Sequence, residues 1–184
     1  EVAATLAFST IANNDKVGVI FFSDKVEKFI PAKKGKTHVL HIIRELLSFE
    51  PSRTGTDIAQ ALQYFSNAQK RHCTAFLISD FMDAGAMYKP LLIASNRHEV
   101  NAIQIYDRRE AELPNIGLVK FRDAETGNEV WIDTAIDTVR QDYAQAWRSN
   151  QDEIEQLFTR TGVSHVSVRT DEDYVKVLMQ LFRC

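Results

Sequence analysis

Three short runs constrain this chain more than any other feature: KVGVIFFS (16–23), TAFLISD (74–80) and VNAIQIYD (100–107). Each is rich in β-branched and aromatic residues, nearly continuous in its apolar character, and bounded by polar sequence. Strict alternation marks a strand with one wet face, whereas an unbroken apolar run marks a strand covered on both faces, as in a parallel sheet. The first run is predicted to be a central parallel strand. Helical patterns lie around the three. EVAATLAFSTIANN (1–14) is charged only at Glu1, which predicts a helix buried on more than one side. KTHVLHIIRELLSF (36–49) is amphipathic, with Val39, Leu40, Ile42, Ile43, Leu46 and Leu47 set inward, and Pro51 blocks its continuation.

The remaining stretches follow the same logic. TDIAQALQYFSNAQKR (56–71) reads as a helix, and 87–96 as a weaker one. A long polar helix over about 136–161 ends at Gly162, a natural C-cap. VSHVSVRT (163–170) is a last parallel strand, and DEDYVKVLMQLFR (171–183) a closing helix with an acidic first turn. VEKFIP (26–31) alternates and ends in proline, as a short edge strand does. LVKFRDAETGNEVWIDT (118–134) predicts a hairpin turning at Thr126-Gly127-Asn128. Strands alternating with helices imply an α/β fold: a doubly wound, mostly parallel sheet with helices on both faces and one β-hairpin insertion. We expect one domain over 1–184.

A chain of 184 residues can bury one sizeable core. Its formal charge of −3 argues against bulk attraction to nucleic acid or anionic lipid. Two cysteines, Cys73 and Cys184, make no disulfide framework and are expected as free thiols in a reducing, cytoplasmic setting. No apolar run has the length of a membrane span. Glu1 opens directly into helical sequence without a cap, which predicts a fragment of a longer protein.

In a sheet of this kind ligands sit beyond the carboxyl ends of the strands. The residues there are Ser23 and Asp24, Asp80 and Asp83, and Asp107, with Thr56 and Asp57 at a helix entrance on the same rim. All offer oxygen, which suits hard cations such as Mg²⁺, Mn²⁺ or Ca²⁺.

GTDIAQAL followed by FLISDF resembles the second and third motifs of the von Willebrand factor type A fold, in which a loop threonine and a strand-ending aspartate help hold one metal ion. The matching positions are Thr56 and Asp80. The stretches NNDKVGVIFFSDKVEKFIPAKKG, HVLHIIRELLSFEP, DRREAELP, TGNEVWIDT and RTDEDYV extend the likeness over essentially the whole chain, and make it most similar to a bacterial branch of that fold, the DUF58 proteins. The resemblance implies Mg²⁺ or Mn²⁺ as the ion where the family's first motif is present, with Thr56 and Asp80 alone making half a site, and a protein partner that donates a carboxylate to it. It also implies work alongside a MoxR-type AAA+ ATPase. The family's first motif, Asp-x-Ser-x-Ser, is absent, and so is the strand that carries it. That strand would lie between 16–23 and 74–80. Its slot would leave unpaired backbone open to β-addition, self-association included.

Other readings stand beside these. Thr56 and Asp57 suit a helix N-cap, and Asp57 with Gln60 resembles a capping box. His38 and His41 share a helix face but have no evident third ligand, while His72, His98 and His165 are isolated. The charge run 107–112 and the lysines 33, 34 and 36 read as solvated surface, and Trp131 and Trp147 as packing residues, with partner anchoring the alternative. The primary expectation is an interaction module without enzymatic activity. The alternatives are a metal-dependent hydrolase or phosphoryl-transfer enzyme, with Ser23 or Asp24 as nucleophile, and a metal-free structural interaction domain.

Overall fold

The structure is a computed structural model that describes residues 1–52, 55–82, 86–122 and 127–181. It separates into two compact units, Glu1–Lys70 and Arg71–Cys184.

The first unit comprises α1 (Val2–Ala12), β1 (Val17–Phe22), β2 (Val26–Lys33), α2 (Lys36–Ser48) and α3 (Ile58–Ala68). β1 and β2 form an antiparallel two-stranded sheet. The expected central parallel position of the first apolar run is therefore not found among the described residues. Only three residues separate the two strands, and a parallel return would need a crossover of a dozen or more. The run is apolar throughout because both α2 and α3 pack on β1. Its register is irregular at Gly18, where an added Cβ would lie 2.7 Å from the Ile30 carbonyl oxygen and 2.8 Å from the Ala32 nitrogen. The small core gathers Phe21, Ile30 and Ile42, with Val17, Val19, Leu46 and Phe49 against it. Phe21 and Phe49 meet at a ring distance of 4.7 Å. α2 stops at Ser48, and the chain is extended at Phe49 on its way to Pro51. In α1, Val2 and Ala7 are buried, five residues apart and so on different faces, while Phe8 is exposed.

The second unit holds β3 (Thr74–Ser79), α4 (Tyr88–Ser95), β4 (Glu99–Tyr106), α5 (Arg108–Ala111), β5 (Leu118–Arg122), β6 (Glu129–Asp133), α6 (Asp137–Thr161), β7 (Ser164–Arg169) and α7 (Tyr174–Leu181). β3, β4 and β7 form a parallel sheet in that order, in unbroken register from Thr74↔Glu99 to Ser79↔Gln104 and from Asn101↔Ser164 to Tyr106↔Arg169. This is the mixed α/β architecture the sequence predicts. α6 ends at Gly162 with φ 67°, the left-handed C-cap that favours glycine, and the Ser95 hydroxyl donates to the Thr161 carbonyl at 2.8 Å, tying the end of α4 to the end of α6. The core includes Leu91, Ala102, Ile103, Ile154, Phe158 and Val168.

β5 and β6 form the expected hairpin as a separate antiparallel pair. Gly127 has φ 73°, and Thr126 of the expected turn lies outside the described residues. The neck of the hairpin is closed by Thr134. Its hydroxyl donates to the Gly117 carbonyl at 2.7 Å and accepts from the Ile116 amide at 3.0 Å. Trp131 is exposed on this hairpin with the Lys120 ammonium 5.9 Å from its ring centre, so it is not a packing residue, whereas Trp147 does pack, 5.4 Å from the ring of Tyr106. No helix among the described residues is long and apolar enough to cross a membrane.

Candidate functional site

Parallel register puts the ends of β3, β4 and β7 on one edge, and the carboxylates that follow include Asp80 after β3, Asp107 after β4, and Glu110 on α5. Their environments differ. Asp107 caps α5. One of its oxygens accepts from the Arg109 amide at 2.8 Å and the other from the Thr170 hydroxyl at 3.1 Å. The Arg109 amide first, then Thr170, hold this carboxyl below its ordinary range. Asp107 is therefore a structural cap.

Asp80 is exposed. Among the described residues its Oδ1 accepts two long contacts, from the Met82 amide at 3.3 Å and the Ser79 hydroxyl at 3.4 Å. The next residue, Phe81, is fully buried and has φ 56°, a conformation uncommon for a bulky side chain. Its ring meets that of Phe158 edge-on at 5.2 Å, and its amide donates to the Ser79 hydroxyl at 3.2 Å. The Asp80 carbonyl accepts from the Gln104 amide group at 3.1 Å. The turn that presents Asp80 is thus fixed on both sides of the residue.

Glu110 is half-buried, and its Oε2 has no hydrogen-bond partner among the described residues. Burial pushes its carboxyl above the ordinary value. A hydrogen bond from the Asp107 amide offsets part of this, and the charges of Asp80 and Asp107 add to the rise. Burial and then the Glu110 charge push the Tyr143 hydroxyl, on α6, upward as well. A carboxyl with a raised folded-state pKa contributes most to stability below its unfolded value, and that contribution is lost as pH rises through the folded value. Glu110→Gln is accordingly expected to raise the melting temperature at pH 7, with the gain shrinking as the pH falls through the raised folded-state value and largely gone below 4.5, the ordinary value of the group. Melts of the two proteins across that range check it.

The rim's oxygen donors are of the kind a hard divalent cation takes, and the Asp80 carboxylate is exposed and weakly engaged among the described residues. Among the described residues, however, no group of three or more His, Cys, Asp or Glu side chains is arranged to hold a metal ion. Asp83 lies outside the described residues.

The remaining sequence candidates belong to the first unit. Asp57 caps α3, accepting from the Gln60 amide at 2.8 Å, and its own amide donates to the Ser23 carbonyl at 2.8 Å. Thr56, just before this cap, is exposed. Ser23 is buried and donates to Glu27 Oε1 at 2.7 Å. That same oxygen accepts from the Ser52 hydroxyl at 2.7 Å and the Ser52 amide at 3.2 Å. The bonds from Ser52 and then Ser23 hold the Glu27 carboxyl below its ordinary range. Ser23 is thereby committed to a structural knot rather than set beside a base as a nucleophile. Thr56 and Asp80 fall in different units.

At the opposite, amino edge of the parallel sheet, Cys73 Sγ lies 3.7 Å from Nδ1 of the buried His98. Burial pushes the thiol up, the reverse of an activated nucleophile. Two residues that sequence reasoning missed, Glu27 and Gln104, organise the polar structure of their units. Gln104 left a trace, as a long polar side chain inside an apolar strand.

The family model described as "Protein of unknown function DUF58" matches residues 1–153. The chain belongs to the DUF58 family. Curated relatives include an uncharacterised protein of Mycobacterium tuberculosis, 29% identical over 177 residues, covering 94% of this chain and 55% of the relative. Another, from Mycobacterium avium, is 30% identical over 158 residues, covering 84% of this chain and 92% of that one. The DUF58 chain thus spans about half the length of the Mycobacterium tuberculosis relative. Among solved structures it is similar to the conserved hypothetical protein BatB of Bacteroides thetaiotaomicron (TM-score 0.56, 18% identity, 98% of this chain and 85% of that one). It is also similar to an aerotolerance-related membrane protein of Bacteroides fragilis (TM-score 0.58, 18% identity, 99% and 87%). At these identities the likeness is one of fold.

Proposed function

We propose that this DUF58 chain is a protein–protein interaction module on a von Willebrand A-like, Rossmann-like sheet. Its binding rim carries a partial metal-ion-dependent adhesion-type site to which Thr56 and Asp80 contribute oxygens. It serves as an accessory factor to a MoxR-type AAA+ ATPase. The observation that supports this reading is the Asp80 turn: an exposed, weakly engaged carboxylate at the carboxyl end of a parallel strand, followed by a buried phenylalanine at φ 56°. Uncommon backbone geometry of this sort concentrates at functional sites. Mg²⁺ or Mn²⁺ would complete its shell with water and a carboxylate from the partner. The competing reading is a metal-free interaction domain, favoured by the lack of a three-ligand group among the described residues.

Thermal unfolding of the full-length gene product in EDTA, and then in millimolar Mg²⁺ or Mn²⁺, separates the two. An ion present at 100 times its dissociation constant stabilises by about 2.7 kcal/mol. That gain is expected in the wild type, lost in Asp80→Ala, and reduced in Thr56→Ala. Binding of the MoxR-type ATPase from the same genome should follow the same order. Equal melting temperatures with and without ion in the wild type would sink the metal site and leave the metal-free reading.

A further inference from the structure

The last full row of the parallel sheet is polar in all three strands. Ser79 on β3 is the register partner of Gln104 on β4, and Gln104 is the partner of Ser167 on β7. The row before it, Ile78–Ile103–Val166, is apolar. Gln104 is 2% exposed, so its amide has left water and must find partners inside the protein. It finds two. Nε2 donates to the Asp80 carbonyl at 3.1 Å, and Oε1 accepts from the Ser167 hydroxyl at 2.8 Å. The orientation of the amide is forced, because a carbonyl can only accept and the nitrogen must face it. Ser79 completes the row by accepting from the Phe81 amide. A Leu or Ile at position 104 would fill an apolar strand without needing any partner. The glutamine differs in one consequence: it reaches beyond the end of its neighbour strand and holds the backbone of Asp80.

We propose that Gln104 is the positioning residue of the Asp80 rim, anchored by Ser167 so that β7 fixes where the strand end points. The inference takes its functional meaning from the proposed metal site, but the positioning can be measured without any metal. The first readout is amide hydrogen exchange in the full-length gene product. The Phe81 and Met82 amides report the turn, and Leu77 and Ile103 report opening of the sheet. In Gln104→Met, which keeps the length and removes the donor, exchange at Phe81 and Met82 should quicken at least about tenfold more than at Leu77 and Ile103. Ser167→Ala, a milder change that serves if Gln104→Met fails to fold, should quicken the same two amides by less. The double variant should add little to Gln104→Met, because both act through one bond chain. The second readout is Mn²⁺ affinity by electron paramagnetic resonance, expected to weaken about 10- to 100-fold in Gln104→Met, the range seen when partners behind a metal ligand are removed. Uniform acceleration at all four amides in both single variants overturns the positioning role. No Mn²⁺ binding by the wild type, with selective acceleration at Phe81 and Met82, overturns the metal site and leaves the positioning role standing.

Discussion

Phe81→Ala is expected to destabilise the protein by about 3–5 kcal/mol, the range for removing a fully buried aromatic ring without collapse of the space around it. The ring is wholly inaccessible and meets Phe158 edge-on, so the deletion removes an aromatic pair together with buried area. That is a large part of the roughly 5–15 kcal/mol that holds a typical domain together. The comparison with Phe81→Gly makes the prediction specific to this turn. At an ordinary position glycine is worse than alanine by roughly 0.5–1 kcal/mol. At φ 56° the order should reverse, with Phe81→Gly more stable than Phe81→Ala by up to about 1 kcal/mol, because only alanine bears the cost of a Cβ in the left-handed region. Denaturant melts of the three proteins decide it. If alanine proves the better substitute, the left-handed backbone is not what holds Phe81. Both variants should also lose the ion-dependent stabilisation, since Asp80 directly precedes the altered residue.

The parallel sheet of the second unit was legible because its strands speak through composition. VNAIQIYD and TAFLISD are apolar on both faces, and that pattern has few structural solutions. Asp80 was legible for a related reason, as a charge directly beyond a buried run. What holds Asp80 was not legible. The row Ser79–Gln104–Ser167 joins residues 25 and 63 positions apart, and no local pattern announces which strands are neighbours or in what register. Asp107 misled for the complementary reason. Its position past a strand end is that of a ligand, but its oxygens are taken by the Arg109 amide and Thr170. The first apolar run misled because continuous hydrophobicity reports burial on two faces and says nothing about strand direction. β1 is packed on by α2 and α3 and has Phe21 buried, while pairing antiparallel with β2.

The same gap between pattern and packing runs through α2, where it yields a second strong prediction. An amphipathic reading sets six aliphatic residues inward, yet α2, packed between α1 and β1, buries only a narrow stripe. Val39 and Ile42 are buried and Leu46 joins the core cluster, all within one i, i+3, i+7 line, whereas Leu40 is half exposed and Leu47 is 85% exposed. Ile42→Ala is therefore expected to cost about 2–5 kcal/mol, because it opens a cavity against Phe21 and Ile30 that neither strand can close. Leu47→Ala removes as many carbons from the same helix and is expected to change stability by no more than about 0.5 kcal/mol, as at other exposed positions. Helix propensity works against the expected difference, since alanine is a better helix former than leucine and better still than isoleucine, so the larger gain falls on Ile42→Ala. The difference between the two measured values thus isolates burial. Equal costs would mean that Leu47 is covered in solution, and would point to an occupant of that flank of α2 rather than to an error in the core.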